Sequence, residues 1–339
     1  MADWPSRVAG RHKRADRAVP SVERMAWTPS WQVLKVLADA VRQASRLESG
    51  VVGTEHLLIA LADSIGRGRR LGVKSVRAQA MAGDWTGDEG GAAESDPDVI
   101  ALMRTAHHHT HLESVLPVSR ALDGCVRAAI AEAGDGVLTT THLAVALLSL
   151  PSGRAADLFG VLRVDVEATI EAVRKAAEPE DAPAVWLLRQ AGALVGESGS
   201  GTLRWLTRFF LRRQSTGGPV LNVVRMEAKR LAVAAGRQET AADLVAAVLA
   251  VDHQLTAAGR RLRPEFSSGG AAALRAAGVD PAALPAATGA GIERFIEGAK
   301  LVAARRGDDV VGTAHLVVAV RDDLLDPVGR ALRGLAVET

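Results

Sequence analysis

The phrase VVGTEHLLIAL at residues 51–61 returns as VVGTAHLVVAV at 310–320. Val, Val, Gly, Thr, His and Leu recur in register, and self-similarity at this level constrains the fold more than any other feature of the chain. Before the first phrase, WQVLKVLADAVRQASRL places Leu34, Leu37, Ala38, Val41 and Ala44 at helical spacing, with Lys35, Asp39 and Arg42 between them. After the break ESGVVG, Thr54 is expected to cap a second helix with Leu57, Leu58, Leu61 and Ile65 as its apolar stripe. The unit is a helix, a short turn and a Thr-capped helix.

The same grammar recurs three more times. A second copy runs through RALDGCVRAAIAEAGDG and VLTTTHLAVALLSL. Two shorter helices follow it, in GRAADLFGVL and VDVEATIEAVRKA, the latter with Asp165 as cap. A third, degraded copy is LNVVRMEAKRLAVAAGRQETAADLVAAVLAV, with Thr240 as cap and Asp243 where the others carry His; AAALRAAGVDPAAL supplies its two closing helices. The fourth starts at IERFIEGAKLVAARRGDD and ends near VGRALRGLAV. One unit cannot bury its apolar stripe alone, so the units are expected to pair around shared cores. The Gly–Thr pairs (Gly53–Thr54, Gly312–Thr313) are a folding signature. So are His56, His142 and His315, expected at the second helical position, partly buried and donating to a carbonyl.

These readings divide the chain into a basic flexible arm at 1–26, a first domain at 27–178 with repeats at about 27–82 and 117–178, a linker with an extra helical segment at 179–218, and a degenerate second domain at 219–339. The acidic EPEDAPA at 178–184 marks the linker. VWLLRQAGALVGESGSGTLRWLTRFFLRRQ is expected to form two helices around a flexible loop, outside the repeat.

Composition narrows the function classes. The 339 residues carry 41 basic and 39 acidic side chains, a balance that gives no general affinity for nucleic acid. There is no Tyr and there are only five Phe, so aliphatic helices must build the cores and stacking platforms for bases are scarce. Cys125 is the only cysteine, which excludes an intrachain disulfide. No secretory leader and no apolar run of spanning length is read, so a cytoplasmic protein without integral membrane association is expected.

GTEHLL after a helix rich in Ala, Arg and Leu, together with WTPSWQVLKVL at 27–37, resembles the N-terminal repeat domain of Clp-type AAA+ unfoldases, the ClpC and ClpA group. The resemblance covers about residues 27–178 and, more weakly, 219–338. It implies an all-α fold of two such domains in tandem, each a pseudo-twofold pair of four-helix repeats, with an extra helical segment between them. It also implies a non-catalytic recognition role toward Clp unfoldase or protease components, adaptors, substrates or peptide-like ligands, as an adaptor, a substrate-binding factor or a decoy, or as a trap for Clp-targeting cyclic peptides. In that family the glutamate of GTEH and a threonine near the repeat start help bind phosphoarginine. Those roles carry over to Glu55 and Thr28; Thr141, Ala242 and Ala314 stand at the glutamate position of the other copies. As a first-turn residue, Glu55 also suits a solvated place at the positive end of the helix dipole. The family's ATPase modules have no counterpart here. LVGESGSGTL at 194–203 lacks the lysine of a phosphate loop, so neither an enzyme nor a cofactor is expected.

Three other features carry candidate chemistry. HHHTH sets His107 and His111 one turn apart if the preceding helix continues, a weak candidate for a metal such as zinc. Cys125 lies on a core helix without a base partner and reads as a small apolar residue. The basic segments 7–17 and 203–214, the latter with Trp205, Phe209 and Phe210 among arginines, offer an alternative function, a regulator that binds nucleic acid or membrane.

Overall fold

Helix α1 (Trp31–Arg46) begins because Ser30 stays extended and its Oγ accepts from the Val33 N–H at 3.0 Å, satisfying one of the helix's free donors. Its stripe of Val33, Leu34, Leu37, Val41 and Ala44 is fully buried, and each such leucine contributes roughly 2 kcal/mol by leaving water. Ser119 starts α4 (Arg120–Ala133) in the same way, accepting from Leu122 N at 3.1 Å. The structure, a computed structural model, describes residues 27–64, 87–196, 218–285 and 291–338. Most described residues are helical, and among them the only strands are two of two residues each.

The first half contains α1, α2 (Thr54–Ser64), α3 (Pro97–His108), α4, α5 (Thr140–Leu148), α6 (Arg154–Val161) and α7 (Val166–Lys175). Asp165 caps α7 through Ala168 N at 3.0 Å. Helices α1, α2, α4, α5 and α6 close one core around Leu37, Leu58, Leu122, Leu143 and Phe159.

How the copies meet is set by two parallel pairings that cross. β1 (Thr28–Pro29), the lead-in to α1, pairs with β2 (Val137–Leu138), the lead-in to α5. Val52, in front of α2, bridges in parallel to Val118, in front of α4. Each copy's opening segment therefore completes the other copy's turn. The exchange is reciprocal.

The second half contains α8 (Pro183–Gln190), α9 (Pro219–Ala234), α10 (Ala241–Ala257), α11 (Gly270–Ala276), α12 (Glu293–Arg306), α13 (Thr313–Asp322) and α14 (Pro327–Gly334). They surround a separate core that includes Leu188, Leu221, Leu244, Phe295, Leu316 and Leu332. The second of the two closing helices expected in the third copy is a single 3₁₀ turn, Pro281–Ala283.

Helix α8, from the inserted segment outside the repeat, packs into the second core. Its Ala184, Val185 and Leu188 are buried in the second core. The Ala184 N–H donates to Gln254 Oε1 at 3.0 Å, and Gln254 Nε2 donates to Glu227 at 2.9 Å. Residues 193–195 then run antiparallel to 261–263. Across the two cores, Trp186 of α8 stacks on Trp31 of α1 with ring centres 5.1 Å apart, and α3 packs on α9. No helix among the described residues is long and apolar enough to cross a membrane.

Candidate functional site

The repeated histidine is a cap: its Nδ1 accepts from the backbone, which leaves Nε2–H to donate, in the fourth copy from His315 to Asp308 Oδ2 at 2.7 Å. Gly53 occupies the cap position of α2 and Thr54 is its first residue, so His56 stands third, not second. His56 Nδ1 accepts from the Gly53 N–H at 2.9 Å, and its Nε2 side faces Ser49 Oγ at 3.2 Å. His142 accepts from Thr139 N at 3.1 Å and His315 from Gly312 N at 2.9 Å. In the third copy Asp243 Oδ2 accepts from Thr240 N at 2.8 Å. All four copies therefore keep an acceptor three residues after the cap, a reciprocal closure of the helix start. What the position requires is an acceptor atom, which a carboxylate supplies as well as an imidazole. Asp243 has gained a second partner, Arg237, whose Nη2 lies 2.6 Å from Oδ1.

Glu55 is buried, 1 % exposed, which overturns its reading as a solvated first-turn residue. Its Oε1 accepts from Arg154 Nη1 at 2.6 Å, while Oε2 has no hydrogen-bond partner. Burial pushes the Glu55 carboxyl above the usual range, and the nearby Glu89 adds to that; its own backbone N–H and Arg154 oppose it. Burial lowers His56 to about 4, helped by Arg154 and opposed by Glu89, so the imidazole is neutral and its 3.4 Å approach to Glu55 is no ion pair.

Thr28 is also buried, at the other seam, where its N–H donates to Gly136 O at 3.1 Å. Thr28 and Glu55 thus belong to different junctions between the copies. Sequence reasoning missed the polar groups that line each junction. At the first, Glu89 fills the space: Oε2 accepts from Thr54 N at 3.0 Å and Ser119 Oγ at 2.5 Å, and Oε1 accepts from Arg154 N at 2.8 Å and from Thr54 Oγ. At the second, Glu180 Oε2 accepts from Ser30 Oγ at 2.6 Å and Thr140 N at 3.1 Å, and Oε1 accepts from Thr140 Oγ. Ser30 matches Ser119 and Thr140 matches Thr54. One signal in the sequence pointed this way, the serine before each long helix.

The second half closes its matching junction without an acid. Ser268 Oγ accepts from Ala314 N at 2.9 Å and lies 3.3 Å from Thr313 Oγ, which in turn accepts from Gly270 N at 3.2 Å. A Cβ on Gly312 would stand 2.2 Å from that Ser268 hydroxyl, so glycine is required for the close approach.

Helix α3 ends at His108, where Thr110 Oγ donates back to His107 O at 2.7 Å and His111 turns to a φ of 59°. His107 and His111 consequently do not share a helical face. His107 is buried with Nε2 3.2 Å from Leu116 O. No group of three His, Cys, Asp or Glu side chains placed to hold a metal occurs among the described residues. The basic segments 7–17 and 203–214, and most of the loop at 194–203, lie outside the described residues. Cys125 is buried on α4, and burial raises its thiol to about 12. The native protein is expected to leave this thiol unmodified by a chromogenic disulfide reagent at pH 8, with one equivalent released only on denaturation.

No family model, no curated protein and no solved structure matches this chain.

Proposed function

We propose that the chain is a non-catalytic module that recognises protein or peptide segments, built as tandem Clp N-like repeat pairs and acting on Clp proteolysis as an adaptor or a decoy. The observation that supports this reading is the crossed pairing of the two copies, Thr28–Pro29 with Val137–Leu138 and Val52 with Val118. It lays the start of a long helix from one copy against the start of the Thr-led helix from the other. Hydroxyls and helix-start N–H groups from both copies converge there, on Glu89 at one junction and on Glu180 at the other, which is the equipment for holding a polar side chain. The resemblance of the GTEH phrase and its three variants to the Clp repeat supports the same reading.

The test is affinity capture from a bacterial lysate, read by mass spectrometry, with the wild-type protein and Glu55→Gln. Clp subunits, adaptors or Clp substrates are expected from both, because Glu55 is buried against Arg154 rather than displayed to a ligand. Recovery of nucleic acid or lipid in their place would overturn the reading and favour the basic segments 7–17 and 203–214.

A further inference from the structure

We infer that Glu89 and Glu180 are built-in plugs, and that the seats they fill take a glutamate side chain from an acidic peptide segment. The inference rests on the recognition reading above and names its ligand. Both seats have the same three elements: the N–H and hydroxyl of the first residue of α2 or α5, and across the seam the serine cap of α4 or α1. Ser30, Thr54, Ser119 and Thr140 are all at least nine-tenths buried. Such donors, stripped of water, need an acceptor with two oxygens, and leaving them empty costs their desolvation.

The two acids share no surrounding phrase. Glu89 sits in GDEGG and Glu180 in EPEDA, on stretches outside the repeated helices. What recurs is the seat, not the segment that fills it. Each plug is also held as a peptide strand would be: Ala121 N donates to Glu89 O at 3.2 Å and Ala93 N to Val118 O at 2.8 Å, while Trp31 N donates to Asp181 O at 3.1 Å. The first seat has further capacity, since the buried Glu55 Oε2 and Arg154 Nε both lack a partner.

The seats differ in how firmly they are shut. Glu89 is 6 % exposed, whereas Glu180 is half-buried on a stretch without helix, in front of α8. The second seat is therefore the one that opens to an outside ligand, and a competing acidic segment displaces Glu180.

The experiment uses the full chain and a fluorescein-labelled synthetic peptide of residues 178–184, followed by anisotropy. Glu180→Ala is expected to bind this peptide at least tenfold more tightly than the wild type, because the tethered competitor is gone. Ser30→Ala placed in the Glu180→Ala background returns the affinity to the wild-type level, and a peptide with Gln in place of its second Glu gains nothing. Should Glu180→Ala fail to give a wild-type circular dichroism spectrum, Glu180→Gln, which keeps the shape and removes the charge, is expected to shift affinity in the same direction. Equal affinity of the folded variants and the wild type overturns the inference. Tighter binding of inorganic phosphate without any gain for the peptide overturns the assignment to glutamate. Neither result depends on Clp components, so a failed capture with peptide binding intact separates the two readings.

Discussion

Asp243→Ala is expected to destabilise the second half by about 3–5 kcal/mol, the cost of breaking a buried ion pair and leaving its partner uncompensated. Asp243 is fully buried and does two tasks at once. Its Oδ2 closes the start of α10 through Thr240 N, and both oxygens receive the Arg237 guanidinium, which is itself one-fifth exposed. Alanine removes the acceptor and strands the cation. Asp243→Asn keeps an acceptor for Thr240 N and loses only the charge, so it should fall between alanine and the wild type. Asp243→His restores the residue used by the other three copies but places an imidazole against Arg237, and it should not recover full stability. Urea melts of the three variants, followed by far-ultraviolet circular dichroism, give this order; equal stability of alanine and wild type would show the pair to be dispensable.

Acid is expected to weaken the first half through its buried histidines. The ordinary histidine value is 6.5, and burial holds His56 at about 4 in the fold. The folded state thus favours the neutral ring, so its contribution is complete above pH 6.5 and is lost as pH falls from 6.5 toward 4. The amount at stake is at most about 3 kcal/mol. His107, lowered mainly by burial, acts in the same direction. Glu55, whose carboxyl is raised, acts in the opposite direction, since its protonation favours the folded form as pH falls. His56→Gln should cost about 1 kcal/mol at pH 8 through the weaker cap. The gap between variant and wild type should narrow at pH 5.5, read as the difference in melting temperature at the two pH values. A constant gap would mean that His56 does not titrate with unfolding.

Much of this architecture could be read from the sequence because helical stripes are local. The spacing of Leu34, Leu37 and Val41 predicts α1, and Asp165 marks the start of α7 where it is found. Recurrence at residues 56, 142 and 315 marked these histidines as structural, but neither their capping role nor the direction of the hydrogen bond. An imidazole nitrogen can donate or accept, and placing the helix start one residue late reverses the expectation. Asp243 held the missing clue, since a carboxylate at that position accepts. The junction glutamates could not be read at all. Glu89 lies 35 residues from Thr54 and Glu180 lies 150 from Ser30, both on stretches without periodicity, so only the folded chain brings them to their donors. Glu55 misled for a related reason: first-turn glutamates are commonly exposed, and its burial depends on Arg154, 99 residues further on. In α8, the run of Ala, Val and Leu was too short to show which core it would join.

The crossed lead-ins make neither copy of the first pair a finished object. A chain severed between α3 and α4 would leave Thr28–Pro29 and Val52 facing seams with nothing to occupy them. Since the copies resemble one another, the vacancy in one fragment has the shape of a segment that an identical fragment carries. Two such halves can complete each other by trading lead-ins, and the intact chain is in this sense a dimer whose exchange has been made permanent by a peptide bond. Folding must accordingly wait for contacts distant in sequence, and the pair gains its stability together rather than one copy at a time.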